Sequence, residues 1–129
     1  MATLAAATSD AYKQQSILTA PPGRLVVMLY DGCIRFLFQA AYAMRQGDRK
    51  VSLQRLRKAE AIIDELNSSL DMSYGQIPGR LRSIYLFCKR HLIRANVETD
   101  ASAIDTVVRL LSELREAWEQ VVRSAELVA

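Results

Sequence analysis

Apolar residues recur at helical spacing in four long segments of this chain. We predict one helix for each segment, over residues 22–46, 49–70, 79–97 and 101–124. No sizeable stretch shows the alternation of a β-strand, and the short connections make consecutive helices antiparallel neighbours. The sequence therefore predicts an all-α protein. We expect an antiparallel up-down-up-down four-helix bundle, with a short N-terminal capping segment and linker over residues 1–20.

Residues that favour helix ends stand at the boundaries of these segments. Pro22 suits the first position of a helix, where a missing N–H costs nothing. Gly47 suits a helix C-terminus, and Asp48 can act as the N-cap of the second helix. Thr99 and Asp100 are turn and cap residues between the last two helices. The core-facing residues predicted for the last three helices are Leu56, Ala59, Ile63, Leu66 and Leu70; Leu81, Ile84, Tyr85, Cys88, Leu92 and Ala95; and Ile104, Val107, Leu111, Leu114, Trp118 and Val121.

The first predicted helix is unusually apolar, with 16 apolar residues among the 20 between Leu25 and Met44. A bundle helix ordinarily carries about 3 in 7, or roughly nine of twenty. Two interpretations stay open: the N-terminal segment or a second copy covers the surplus, or the surplus forms a groove for a partner's amphipathic helix. Asp31 and Arg35 lie four residues apart and can pair on the remaining polar strip.

Length and composition narrow the class of protein. A chain of 129 residues matches one domain of ordinary size, and 50% apolar residues with a net charge of +3 argue against disorder. Cys33 and Cys88 lie in apolar segments without metal-ligand spacing, which favours two buried free thiols in a reducing compartment. The N-terminus does not resemble a signal peptide. Because Asp31 and Arg35 interrupt the most apolar stretch, we expect no membrane insertion and a cytoplasmic location.

Candidate chemistry is sparse, and we expect neither an enzyme nor a cofactor or metal. No phosphate-binding glycine loop or nucleophile elbow is present, and His91 has no second metal ligand at a suitable spacing. Lys89, Arg90 and Arg94 flank His91 and could stabilise a phosphoryl group, so a histidine-phosphotransfer bundle stays an alternative. An ordinary surface histidine is the simpler interpretation.

Charge is unevenly distributed along the chain. Six basic residues lie between positions 45 and 58 and five between 80 and 94, whereas acidic residues dominate from position 98 onward. Complementary charge between neighbouring helices explains this most simply. A nucleic-acid-binding bundle and the steering of an acidic protein partner are the alternatives. We expect no nucleic acid, because no recognition-helix motif or aromatic platform accompanies the basic residues.

Several blocks of sequence together resemble one family. In order they are Ala11-Tyr12-Lys13, Leu18-Thr19-Ala20 with Pro22, Met28-Leu29-Tyr30-Asp31-Gly32, Arg35-Phe36-Leu37, residues 61–71 (AIIDELNSSLD), Ala95-Asn96, and residues 110–118 (LLSELREAW). This pattern closely resembles the FliS family of flagellar secretion chaperones, the export chaperones of flagellin. The resemblance covers roughly residues 11–122.

The resemblance implies a cytosolic four-helix bundle that binds the C-terminal segment of flagellin, prevents premature polymerisation and aids delivery to the export apparatus. It also implies an export-gate component or a co-chaperone as a further partner. By motif position Tyr12 would cap the apolar groove, and we group it with Ile17 and Leu18 as an N-terminal lid. For the client-binding groove we predict the first-helix residues Val26, Tyr30, Ile34 and Leu37.

Overall fold

The structure, a computed structural model, describes residues 22–128. It contains four helices, α1 (Pro22–Arg45), α2 (Arg49–Ser68), α3 (Ile77–Glu98) and α4 (Ala101–Val128). No strand occurs within this part of the chain, and the helices pack against one another, which confirms the predicted all-α class. The predicted N-terminal segment over residues 1–20 lies outside the described residues.

The helices form a ring in which α1 lies between α2 and α4, and α3 closes the other side. Ion pairs at the two ends of α1 give the direction of α4. At the start of α1, Arg24 pairs with Glu119 near the end of α4, with Nη1 and Oε2 2.5 Å apart. At the end of α1, Arg45 pairs with Asp105 near the start of α4. The two helices are therefore antiparallel, as the short connections predict.

The turns follow the predicted capping chemistry. Gly47 adopts φ 79°, which only glycine reaches without strain, and the Asp48 carboxylate accepts a hydrogen bond at 3.1 Å from a backbone N–H in the first turn of α2. Thr99 closes α3 with φ 53°. Asp100 then accepts a hydrogen bond from the backbone N–H of Ser102 at 3.0 Å. The Ser102 hydroxyl also donates to this carboxylate and holds the pKa of Asp100 below its usual range.

The starts of α1, α2 and α4 match the predicted positions, and the other five helix bounds differ from the predicted ones by one to four residues. The helices α1 and α2 end at Arg45 and Ser68, slightly early, and α3 ends one residue late. The start of α3 is Ile77, two residues before the predicted start, because Pro78 fits a first helical turn where no N–H bond is needed. The end of α4 is Val128, beyond the predicted 124, since no glycine or proline interrupts that stretch.

The surface of α1 is arranged differently from its prediction. Asp31 does not pair with Arg35 but with α4, accepting a hydrogen bond from Arg115 Nε at 2.9 Å. The Arg35 guanidinium lies over the Phe36 ring, 5.7 Å from its centroid. Each side chain thus has a different partner, and an exposed i,i+4 pair would contribute only a few tenths of a kcal/mol.

The most apolar segment, Gly23–Arg45 in α1, is by length and composition able to cross a membrane despite Asp31 and Arg35. In the structure it is instead the helix that packs on both α2 and α4, a position in which soluble bundles place such a helix. Cys33 and Cys88 are both buried and free, as predicted. Burial raises the pKa of the Cys33 thiol above its usual range and that of Cys88 to about 11.

Candidate functional site

An apolar groove surrounds Trp118 where the C-terminal half of α4 meets the first turns of α3 and α1. It consists of three adjoining depressions of about 460, 440 and 350 Å³, and Trp118 lines all of them. Val26 of α1 lines the first, Ile77 and Leu81 of α3 line the first and second, and Val121 lines the second and third. We call this surface the Trp118 groove.

Large apolar side chains stand exposed along the groove. Ile77 is 68% exposed, Val121 is 60% exposed and Tyr74, in the loop before α3, is 75% exposed. Val121 was predicted on the core face of α4, but it faces outward and Val122 is buried in its place. Exposed apolar side chains gathered around a depression are typical of a protein-interaction site rather than of an ordinary solvated surface.

The floor of the groove is fixed by a buried pair of tyrosines. Tyr85 lines the groove from α3, and its hydroxyl lies 2.6 Å from the hydroxyl of Tyr30 on α1. Burial raises the pKa of the Tyr30 hydroxyl far above its usual range, and the hydrogen bond with Tyr85 adds to the shift. Burial also raises the pKa of Tyr85. Both hydroxyls are therefore neutral, and their hydrogen bond ties α1 to α3 beneath the groove.

One end of the groove is held by a charged cluster between α1 and α4. Arg24 bonds Glu119 at 2.5 Å and Glu126 at 3.1 Å. Burial by itself raises the pKa of the Glu119 carboxyl, but the hydrogen bond and charge of Arg24 outweigh it and hold that pKa below its usual range. The two helices approach closely here, because a Cβ built on Gly23 would lie 3.0 Å from Val122 Cγ2. The start of α1 is thereby held next to the groove.

The four residues predicted for the client-binding groove do not lie together on one surface of the structure. Val26 lines the Trp118 groove, and Ile34 is half-buried against the core without lining it. Tyr30 and Leu37 are fully buried, so neither presents surface to a partner, contrary to the prediction. The reason is that α1 is covered by both α2 and α4, which places most of its apolar circumference inside. The predicted lid residues Tyr12, Ile17 and Leu18 lie outside the described residues.

The sequence analysis missed the α3 and loop side of the groove. Tyr74 and Ile77 stand in the stretch left between the second and third predicted helices, and Leu81 was assigned only to the core. Two apolar residues among the serines and glycines of a loop were a signal that could have revealed this side. A second signal was the apolar pair Val121-Val122, since adjacent helical residues point about 100° apart and the core stripe can cover one of them more than the other.

Apart from the Trp118 groove, a separate depression of about 530 Å³ lies at the opposite end of α1, against the start of α2. It contains the exposed aromatic side chains Phe38 and Tyr42, but Gln39, Gln46 and Arg55 also line it. This polar lining suits an apolar helix less well than the Trp118 groove does.

The candidate chemistry around His91 finds a structural explanation. The imidazole stacks on Phe87 with ring centroids 5.0 Å apart, and Arg94 Nη2 lies 3.5 Å from Nε2. Between residues 22 and 128, no group of three His, Cys, Asp or Glu side chains is arranged to hold a metal ion.

Comparison with known proteins agrees with the resemblance. A family model described as "Flagellar protein FliS" matches residues 4–125. The chain is 35% identical over 114 residues to "Flagellar secretion chaperone FliS" of Bacillus subtilis, covering 88% of this chain and 85% of the relative. The protein of the same description from Salmonella typhimurium is 37% identical over 110 residues, covering 84% and 82%. That from Vibrio cholerae is 36% identical over 117 residues, covering 87% and 86%.

Proposed function

The chain belongs to the FliS family of flagellar secretion chaperones, and on that premise we propose that it binds the C-terminal segment of flagellin in the Trp118 groove. Bound there, the segment cannot take part in polymerisation before export. We place this activity in the cytoplasm, with an export-gate component or a co-chaperone receiving the complex. Neither nucleic acid nor membrane insertion has a part in it.

Family membership also bears on whether the chain is an enzyme. The FliS family is non-enzymatic, which confirms the prediction that the chain is not an enzyme. His91 is accordingly a surface residue stacked on Phe87, and the phosphotransfer alternative is set aside.

The observation that carries the proposal is the exposed apolar lining of the Trp118 groove. A chaperone that holds a disordered segment needs apolar surface to offset the cost of ordering it, and coupled folding of this kind typically buries about 1,000–3,000 Å². Trp118, Ile77 and Val121 offer such surface between two helices. An amphipathic helix of the client fits this arrangement, because its apolar face can follow the line of the groove.

The position of α1 supports an N-terminal lid. Gly23 lines the end of the groove, and Ile17 and Leu18 stand only five or six residues before it in the chain. An extended chain reaches about 3.3–3.6 Å per residue, so both side chains can reach Trp118. We propose that Tyr12, Ile17 and Leu18 cover the groove in the free protein and give way to the client.

Calorimetry and circular dichroism with a C-terminal peptide of the cognate flagellin test the proposal. We expect one peptide to bind per chain and to gain helicity on binding. Val121→Gln removes an exposed apolar side chain from the groove, and losing the burial of a valine costs about 1.5 kcal/mol, or roughly tenfold in Kd. Deleting residues 1–17 should leave the bundle folded, raise the affinity for the peptide and increase dye binding to apolar surface.

Val97→Gln is the matched control, since Val97 is 74% exposed on α3 and does not line the groove. It should leave peptide affinity unchanged. Equal loss in Val97→Gln and Val121→Gln would place the client elsewhere on the bundle. Absence of both heat and helicity gain with the cognate peptide would overturn the proposed function.

A further inference from the structure

The outward face of α3 carries apolar side chains that the bundle does not use. The buried side of the helix is a narrow stripe that includes Leu81, Cys88 and Ala95. On the opposite side, Leu86, Phe87, Ile93 and Val97 are 40%, 41%, 55% and 74% exposed. Leu86, Ile93 and Val97 are seven and four residues apart and therefore lie in one row. A solvated helix face is normally polar, so this row needs an explanation.

Unpaired positive charge lies within the same row. Arg82 and Arg90 are exposed, and neither forms an ion pair within the part of the chain that the structure describes. Arg90 stands between Leu86 and Ile93. By contrast, Lys89 on the flank of the helix is paired with Asp64 of α2, with Nζ and Oδ1 2.6 Å apart.

The prediction that basic residues pair with acidic neighbours therefore holds for the flank of α3 but not for its outward face. Within the described residues Arg94, next to the row, forms an ion pair only with Glu98 of its own helix, at 3.3 Å. The outward face is consequently both apolar and basic, and no acidic residue of another described helix neutralises it.

We propose that the outward face of α3 is a second docking surface, which binds an acidic amphipathic helix of a partner protein. The row Leu86–Val97 extends over about 16 Å, three helical turns, which matches apolar positions at i, i+3 or i+4, i+7 and i+11 of the partner. Glu or Asp side chains beside those positions would meet Arg82 and Arg90. The charge fixes the chemistry of the partner, because a basic helix would be repelled.

The form of the surface distinguishes this partner from other ligands. None of the four depressions described above is lined by Leu86, Ile93 or Val97, and an exposed row along one helix suits a partner helix better than a small molecule, which binds in a concave site. Three of the four exposed apolar side chains on this face, Leu86, Ile93 and Val97, are aliphatic, whereas single-stranded nucleic acid requires aromatic platforms for its bases.

The α3 face is separate from the Trp118 groove. The two surfaces share α3 but no residue: the apolar row begins at Leu86, about 14 Å along the helix from Ile77, and ends at Val97, about 30 Å from Ile77 at 1.5 Å per residue. A partner on the α3 face and a client in the groove can therefore bind at the same time, and each surface can be tested without the other.

The test uses the full chain and two synthetic 18-residue helical peptides. Both carry leucine at the apolar positions, and their flanking positions are glutamate in one and lysine in the other. Fluorescence anisotropy should detect binding of the glutamate peptide only, weakening as salt is raised because these charges are exposed. Arg90→Glu reverses one exposed charge of the face and should weaken binding of the glutamate peptide about fivefold. Val97→Gln should weaken it by a similar factor.

Two variants serve as matched controls. Arg109→Glu reverses an exposed arginine of α4 that has no ion pair in the described residues, and Val121→Gln alters the Trp118 groove. Neither should change the affinity for the glutamate peptide. The affinity for the flagellin peptide should show the reverse pattern: it should fall in Val121→Gln and stay unchanged in Val97→Gln. Failure of this inference is therefore distinguishable from failure of the proposed function.

Four results would overturn the inference. The first is absence of glutamate-peptide binding, or equal binding of the lysine peptide. The second is an equal loss of affinity in Arg90→Glu and Arg109→Glu. The third is self-association of the free chain that Val97→Gln abolishes in light scattering, because a second copy would then occupy the face. The fourth is binding of another ligand than the proposed one. Peptide binding seen only after residues 1–17 are deleted would mean that this segment occupies the face, and binding to anionic vesicles instead of the peptide would mean that the face meets a lipid surface.

Discussion

Replacing Tyr30 by phenylalanine tests whether this residue belongs to the core or to the binding surface. The side chain is 0% exposed, and its hydroxyl lies 2.6 Å from the Tyr85 hydroxyl, with the Trp118 side chain as a further hydrogen-bonding neighbour. Phenylalanine keeps the ring and removes the hydroxyl, which leaves the buried Tyr85 hydroxyl without that partner. An unsatisfied buried hydroxyl costs about 1–3 kcal/mol, and we expect the free energy of unfolding of Tyr30→Phe to fall by this amount.

The double variant Tyr30→Phe/Tyr85→Phe separates the hydrogen bond from the packing of the rings. With both hydroxyls absent neither tyrosine position leaves an unsatisfied hydroxyl, and such paired removal costs less than removing one partner alone. The double variant should therefore be more stable than the sum of the single variants predicts. We expect a coupling energy of about 1 kcal/mol, which is within the range measured for contacting residues. Total stabilities of about 5–15 kcal/mol keep all three variants folded.

Urea unfolding followed by circular dichroism gives these free energies, and calorimetry gives the affinity for the flagellin peptide. Tyr42→Phe is the control, because Tyr42 lies on the same helix but is 68% exposed. It should change the free energy of unfolding by less than about 0.5 kcal/mol. A Tyr30→Phe variant with unchanged stability and weakened peptide binding would refute the reasoning, because Tyr30 would then contact the client.

Three further predictions concern the groove end, its ion pair and the buried thiols. Gly23→Ala should lower the free energy of unfolding by about 1 kcal/mol, because the added Cβ overpacks against Val122. Gly32→Ala should raise it by up to about 1 kcal/mol, because its Cβ meets only ordinary contacts and alanine favours a helix over glycine. Urea unfolding measures both changes. Arg24 lowers the pKa of the Glu119 carboxyl, so this ion pair stabilises the fold above pH 4.5. That contribution is lost as the pH falls through the folded-state pKa of Glu119. The free energy of unfolding should therefore fall more steeply with decreasing pH in the wild type than in Glu119→Gln. Because burial raises the pKa of Cys88 to about 11, a thiol reagent at pH 8 should label the chain only after urea unfolds it.

The elements that the sequence predicts well are those determined by local chemistry. Gly47, Asp48 and Asp100 sit at helix ends because their own backbone freedom or side-chain oxygens satisfy groups there, and no distant residue is needed. Helical spacing likewise identifies the core stripes of α2 and α3, since one face of each packs inward. The family could be recognised for a related reason, because its blocks of residues are contiguous in the chain.

Features that depend on the arrangement of helices could not be predicted in the same way. Asp31 finds Arg115 on α4, 84 positions away, and no spacing rule within one helix reveals that pair. The exchange of Val121 for Val122 in the core likewise depends on how α4 passes Gly23, where the two helices approach closely. Local patterns identify which residues are apolar, but the neighbouring helix decides which of them are covered.

The apolar surplus of α1 follows from this distinction. Of its 16 apolar residues between positions 25 and 44, ten are buried, four are half-buried and two, Phe38 and Tyr42, are exposed. A helix covered on two sides by α2 and α4 needs a wider apolar face than a helix that contributes one narrow stripe, and most of the surplus is accordingly half-buried or buried rather than exposed. Apart from Phe38 and Tyr42, the large exposed apolar side chains belong to α3, α4 and the loop between α2 and α3, whose sequences contain no such surplus. An apolar count therefore measures how many neighbours a helix has, whereas a binding surface is better indicated by apolar residues that lie off the core stripe of an otherwise polar helix, as Ile93 and Val121 do.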